Sequence, residues 1–290
     1  MQQIHWFPGH MQKARRQIEA HLKLVDVVFE LVDARIPYSS RNPLIDKILH
    51  NKLRIVILNK SDLADPLVTT RWEQAIVATG AEVLTLDALA SDAKDKLVAK
   101  AKQLLAVKMA KEAAKGLRPR PVRAMIIGIP NVGKSTLINT LAKRKAAMAA
   151  NKPGVTRAQQ WVKVGSSLEL LDTPGLLWPK FESRWVGLNL ALTGAIKDTI
   201  LPMDDVAIHA LSRLCANYPQ ALATRYGVET EGLAPLDLLT SIGRARNLLI
   251  SGGAIDETRV CELILKEIRD LKLGRLTFET PDEVSGLADE

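Results

Sequence analysis

Hydrophobic positions in this chain change period repeatedly, and the changes mark its elements. Ala14, Ile18 and Leu22 recur four apart among Lys13, Arg15, Arg16 and Glu19, which predicts an amphipathic helix over 11–23 with a basic outer face. The run Val25–Val32 is rich in β-branched residues and predicts a buried strand, broken by Pro37 and the Tyr-Ser-Ser that follows it. A short helix over Leu44–Leu49, a strand over Leu53–Leu58, and a helix leading to a strand at Glu82–Leu86 come next. Residues 92–116 are rich in Ala, Lys and Leu and read as a long solvated helix stopping at Gly116. The prolines of Leu117–Pro121 then force an extended segment into a strand at Val122–Ile127.

A helix is expected from Lys134, a strand pair at about 159–164 and 168–172, and an irregular stretch to about 200. Strands alternating with helices predict an α/β fold with a mostly parallel sheet covered on both faces. From Pro202 the pattern is helix after helix, with no clear strand until Thr277. We therefore expect one α/β domain over 1–200, with residues 1–24 as its N-terminal helical segment, and a smaller all-helical domain over 201–290. No internal repeat is visible.

Three motifs carry chemistry. Gly128-Ile-Pro-Asn-Val-Gly133-Lys134-Ser135 matches the phosphate loop GxxxxGK[ST], with a predicted strand before it and a helix after it. Its glycines let successive backbone N–H groups curl around phosphate, here from Asn131, Val132, Gly133, Lys134, Ser135 and Thr136. Lys134 supplies a point charge to the β- and γ-phosphates, and Ser135 offers a hydroxyl to Mg²⁺. Asp172-Thr-Pro-Gly175 follows another apolar strand, 37 residues after Ser135. Asp172 is a candidate Mg²⁺ holder and the Gly175 N–H a γ-phosphate donor. Between them, Thr156 in Pro153–Arg157 is a candidate second Mg²⁺ hydroxyl, ordered by the γ-phosphate. Asn59-Lys60-Ser61-Asp62 ends a strand, where a carboxylate can accept both guanine N1–H and the 2-amino group, a pattern adenine does not offer. GTP and GDP are therefore the expected ligands. The order is unusual: the base-reading motif lies about 70 residues before the phosphate loop. That makes the domain circularly permuted, joined through the Lys/Ala-rich helix and Leu117–Pro121.

Composition changes this picture only at the edges. The net charge is +8 with aromatics at 4%, which leaves a polyanion partner open without deciding it. Cys215 and Cys261 are far apart with no CxxC, so neither a disulfide partner nor a zinc site is expected. No apolar run reaches membrane-spanning length and the N-terminus is not a signal peptide, so a cytoplasmic, membrane-free protein is expected.

With WFPGHM at the N-terminus, DAR at 33–35, NKSD, GIPNVGKST, PGVTR and DTPG in this order, the chain resembles the ribosome biogenesis GTPase A (RbgA/YlqF) family along nearly its whole length. The resemblance implies a GTPase acting in late assembly of the large ribosomal subunit. It also implies rRNA contact through the helices from about 205, which would explain the basic charge. Leu176 stands where many GTPases carry a water-positioning glutamine, and the resemblance points to His10 as the catalytic substitute. Asn131 resembles a K⁺ ligand of related GTPases. The family's base-supporting Ser-Ala would correspond to Asp87-Ala88, where Ala88 offers a backbone N–H but the aspartate departs from the pattern. A GTP-dependent switch acting on another RNA, or turning over negligibly, is the competing reading.

Overall fold

The computed structural model describes residues 8–142, 160–173, 175 and 183–287, with side chains described from Arg15 to Ser285 within those spans except Gln160. A six-stranded sheet forms the centre, in the order β3-β2-β1-β4-β6-β5. These strands are β1 (Val27–Asp33), β2 (Arg54–Asn59), β3 (Glu82–Leu86), β4 (Val122–Gly128), β5 (Gln160–Val164) and β6 (Leu168–Asp172). Only β5 runs antiparallel to its neighbour. Strand periodicity divides the core between two faces. Phe29, Leu31, Ile126 and Leu170 pack with Leu97, Leu105 and Leu137 on one side. Val28, Met125, Ile127 and Leu171 pack with Ile18, Ile45 and Ile48 on the other. The helices supplying these side chains are α1 (Pro8–His21), α2 (Leu44–Leu49), α4 (Ala93–Ala114) and α5 (Lys134–Ala142), while α3 (Pro66–Ala78) packs Trp72 with Val32, Val56 and Leu58. Asp65 caps α3 by accepting from the N–H groups of Leu67 and Val68, with Pro66 opening the first turn.

Register brings the motifs to one edge. Asp33 pairs with Asn59, Asn59 with Leu86, Leu31 with Gly128, and Ile126 with Asp172, so every motif-bearing strand ends along the same carboxyl rim. The strand holding the phosphate loop sits beside β1, although 88 residues separate the end of one from the start of the other. The permuted connection is α4 followed by Gly116 at φ 73° and the extended stretch to Pro121.

Between β6 and the later helices, the stretch expected to be irregular contains α6 (Arg184–Leu192), capped by Ser183 and buried from Val186 to Leu192. The helical half is α7 (Met203–Asn217), α8 (Pro219–Tyr226), α9 (Pro235–Ala245) and α10 (Glu257–Arg269), and its core is continuous with one face of the sheet. The segment around Thr277 is irregular and is not a strand. It returns to the α/β half, with Leu276 N–H donating to Leu63 O at 3.1 Å and Phe278 N–H to Arg35 O at 2.8 Å. A last helix, α11 (Pro281–Leu287), lies against α3.

Glu279 fastens this return. Its buried carboxylate accepts from Tyr38 N–H, from Ser39 N–H and Oγ at 3.0 and 2.6 Å, and from Asn189 Nδ2 at 3.1 Å. Burial pushes its carboxyl up to about 7, while the donors on Ser39, Tyr38 and Asn189 oppose that rise. Glu279→Ala leaves these donors stranded, and we expect it to cost about 3 kcal/mol. The urea midpoint measures that loss, and an unchanged midpoint would mean the return is decorative.

Candidate nucleotide site

Loops after five of the strands meet along the carboxyl rim. The phosphate loop leaves β4 through Gly128 at φ 154°, where a Cβ would meet Leu31 O at 2.6 Å. Asn131 adopts a left-handed φ of 58° and Gly133 one of 104°. A Cβ on Gly133 would collide with the Asn59 amide, so the phosphate loop and the base-reading loop fit only with glycine there. Gly175 stands against the same loop, its Cβ position 2.9 Å from Pro130 N. A side chain at either position would push these loops apart.

Lys134 opens α5 and folds back, donating to Gly128 O at 2.9 Å and Ile129 O at 2.7 Å. Burial lowers its pKa to about 8, opposed by the charge of Asp172. Asp172, wholly buried at the end of β6, has no hydrogen-bonded side-chain partner for either carboxylate oxygen among the described residues. Burial raises its pKa to about 6, with Lys134 pulling it down. The neighbouring Thr173 hydroxyl donates to Ile126 O at 2.6 Å and fixes where the strand ends. Among the described residues no three His, Cys, Asp or Glu gather into a metal cage. An orphaned carboxylate with the Ser135 hydroxyl suits Mg²⁺, which keeps waters and shares phosphate oxygens instead of taking an all-protein cage.

The orphaned charge has a measurable consequence. The folded pKa of Asp172 lies above the ordinary 3.8, so stability present near pH 4 is lost as pH rises through about 6. Without nucleotide or Mg²⁺, Asp172→Asn is therefore expected to stabilise the protein by about 2 kcal/mol at pH 7.5, with the gain vanishing near pH 4. Denaturant unfolding across that range is the test, and a variant less stable at pH 7.5 would mean the carboxylate has a protein partner.

At the base end, Asn59 joins two loops: its Nδ2 donates to Val132 O at 2.8 Å and its Oδ1 accepts from Ala88 N–H at 3.1 Å. The Ala88 N–H, expected to face the base, is thus engaged by Asn59 here. Lys60 reaches Asp33 Oδ2 and Asn131 O, both at 2.9 Å. Asp62 is half-buried; burial raises its pKa and the charge of Asp87 adds to the rise.

Asp33 and Arg35 are site residues that motif reading did not single out for a role. Arg35 donates to Asp33 Oδ1 and Oδ2 through Nε at 2.9 Å and through its terminal nitrogen at 2.8 Å. Burial alone would raise the Asp33 pKa, yet Arg35 and Lys60 outweigh it and hold the carboxyl well below the usual range. The signal was partial: Asp33 and Arg35 stand at the carboxyl end of a mostly apolar strand, but that strand also carries Glu30.

The C-terminal turn of α6 meets the pocket. Asn131 Nδ2 donates to Gly194 O at 3.0 Å and Arg35 to Thr193 O at 3.4 Å. From the helical half, Arg269 donates to Leu192 O at 3.0 Å and Ala191 O at 2.8 Å. The side chain of His10, and residues Thr156 and Leu176, lie outside the described residues. No helix among the described residues is long and apolar enough to cross a membrane, and Cys215 and Cys261 are both free.

Comparison with known proteins gives this geometry a context. Residues 123–225 match a family model described as 50S ribosome-binding GTPase. That segment holds the phosphate loop and Asp172, while Asn59–Asp62 lies upstream of it. Ribosome biogenesis GTPase A of Priestia megaterium is 54% identical over 281 residues, covering 97% of this chain and 98% of the relative. Two solved structures share the fold at 28% identity. The GDP-bound TM YlqF has a TM-score of 0.63, covering 92% of this chain and 100% of its own. A GNP-bound YlqF from T. maritima has a TM-score of 0.61, covering 93% and 99%. A permuted sheet, a phosphate loop locked to a guanine-type motif, and identity along nearly the whole length converge: the chain belongs to the ribosome biogenesis GTPase A family and is a GTPase.

Proposed function

We propose that this GTPase is an assembly factor for the large ribosomal subunit, a cytoplasmic protein that binds pre-ribosomal RNA in its GTP state and leaves on hydrolysis. The observation that carries the reading is the α6 turn, held from one side by Asn131 and Arg35 and from the other by Arg269. A change at the phosphates has a hydrogen-bonded route into the helical half, which is what a nucleotide-gated grip requires.

The pocket residues divide the work. Asp62 accepts from the guanine edge, and Asn59, Lys60 and Ala88 hold the loops that present it. The backbone N–H groups from Asn131 and Val132 to Thr136 cradle the phosphates, and Lys134 turns its charge from the loop carbonyls to the β- and γ-oxygens. Ser135 and Asp172 hold Mg²⁺, with Thr156 as a further hydroxyl, and the ion neutralises charge on the β- and γ-phosphates. The Gly175 N–H meets the γ-phosphate. An apolar Leu176 cannot orient water, so we assign that task to His10 on α1.

Asn131 also bears on monovalent ions. Its amide nitrogen is taken by Gly194 O, while its Oδ1 has no protein donor among the described residues. We expect GTP turnover several-fold faster in K⁺ than in Na⁺, and equal rates would remove K⁺ from the site.

The grip itself is tested by co-sedimentation. Protein loaded with a non-hydrolysable GTP analogue should pellet with large subunits at least tenfold more tightly than GDP-loaded protein, and not with small ones. Equal retention in both states, or preference for small subunits, contradicts the reading.

A further inference from the structure

The chain's charge is split unevenly. Residues 1–200 carry 31 Lys and Arg against 17 Asp and Glu, net +14, while residues 201–290 carry 9 against 15, net −6. The helical half is acidic overall. A polyanion is drawn electrostatically to the α/β half, and the structure shows where cations concentrate there.

Asp26, just before β1, lies at the amino end of the sheet, opposite the nucleotide rim. Its carboxylate gathers Lys108 Nζ at 2.5 Å, Arg120 at 2.7 and 2.9 Å, and the Arg123 N–H at 2.9 Å. One acid thereby organises three basic residues from α4, from the extended joint and from the start of β4. Lys52 stands within electrostatic reach of Lys108: burial lowers its pKa first, and the charge of Lys108 lowers it further. Beyond this hub Lys111, Lys115 and Arg118 are exposed, with no acidic partner among the described residues. The prolines at 119 and 121 stiffen the backbone that carries Arg118 and Arg120. Beside it, the Arg123 guanidinium, paired with Glu169 at 3.0 Å, lies 5.6 Å from the ring centroid of Trp161, itself 41% exposed. Guanidinium groups next to an open indole form a surface for sugar-phosphate chains and unstacked bases, and this favours RNA over an acidic protein.

We propose that the permutation joint, the last turns of α4 with residues 115–123 and Trp161, is a docking surface for the phosphodiester backbone of RNA. The inference rests on an RNA-bound role for the protein, and it assigns the electrostatic share of that binding to the joint instead of the helical half. The strand length sets the separation: β1 has seven residues, so the joint and the nucleotide rim are about 20 Å apart. RNA held at the joint leaves the pocket open for exchange. The segment that closes the permuted fold would then be a working surface as well as a connector.

The test compares two triple charge reversals on the full chain, K111E/K115E/R118E at the joint and R244E/R259E/K266E in the helical half. Binding to an RNA duplex of about 20 bp, and to isolated large subunits, is followed as salt rises from about 50 to 200 mM. Thermal melting and basal GTP turnover should be unchanged in the joint variant, since none of its residues touches the pocket. We expect it to bind the duplex at least tenfold more weakly, with the salt slope smaller by about 0.9 per lost phosphate contact. The helical variant should lose less on the duplex. Wild-type binding to duplex but not to subunits keeps the joint and sinks the ribosomal reading. Equal duplex binding by wild type and the joint variant overturns the proposal. So does a larger loss in the helical variant, or no RNA binding by wild type.

Discussion

Lys134→Ala is expected to lower kcat/KM for GTP by about 10²–10³ and to weaken GDP binding by about 2–5 kcal/mol. Two observations set the size of this effect. The ammonium group is buried and already held in the loop it serves, hydrogen-bonded to Gly128 O and Ile129 O, so little ordering is needed when phosphate arrives. Its charge sits where solvent screening is weak, because the side chain is buried, and burial lowers its pKa to about 8. Bound phosphate would raise that pKa again, and the gain is paid back as affinity. The variant also strands two carbonyls, so calorimetric titration with GDP should be paired with thermal melting. A loss of turnover with intact folding and weakened GDP binding is the expected pattern. Normal GDP affinity in a folded variant would remove Lys134 from phosphate binding.

Asp62→Asn should cost GTP binding about 10²–10³ and raise affinity for xanthosine triphosphate. The carboxylate can accept from two guanine donors, whereas an asparagine offers one acceptor and one donor and leaves a base N–H facing a donor. Xanthine replaces the 2-amino group with an oxygen and restores the match. Asp62 is half-buried, and burial with the charge of Asp87 raises its pKa, so two guanine donors would stabilise its ionised form. Competition between the two nucleotides for the variant and the wild type is the measurement. If Asp62→Asn still prefers GTP by the wild-type margin, another group reads the base.

Much of this site was legible because its motifs are short, local and tied to strand ends. Apart from Glu30 and Arg123, the strands ending at Asp33 and Gly128 are apolar, and buried parallel strands leave such stretches in sequence. The α6 helix was not legible for the opposite reason. Val186 to Leu192 are buried on every side, so the helix has no polar face to set a 3.6-residue period, and Gly187 and Asn189 interrupt what remains. Glu279 was hidden because its partners Ser39 and Asn189 are 240 and 90 residues away, and no local pattern marks an acid that will be buried. Asp33 and Arg35 fall between these cases, visible as a motif but not as a clamp on Lys60. The charge split was readable from sequence counts, yet its meaning depends on Asp26 drawing α4, the joint and β4 together.

The central claim is that the large ribosomal subunit is what this GTPase answers to, and turnover tests it most directly. GTP hydrolysis in K⁺ buffer should be slow for the protein alone, strongly stimulated by isolated large subunits, unaffected by small ones, and lost from the stimulated rate in His10→Ala. The same rate with large subunits, with small subunits and with neither would leave the GTPase fold in place and contradict the claim.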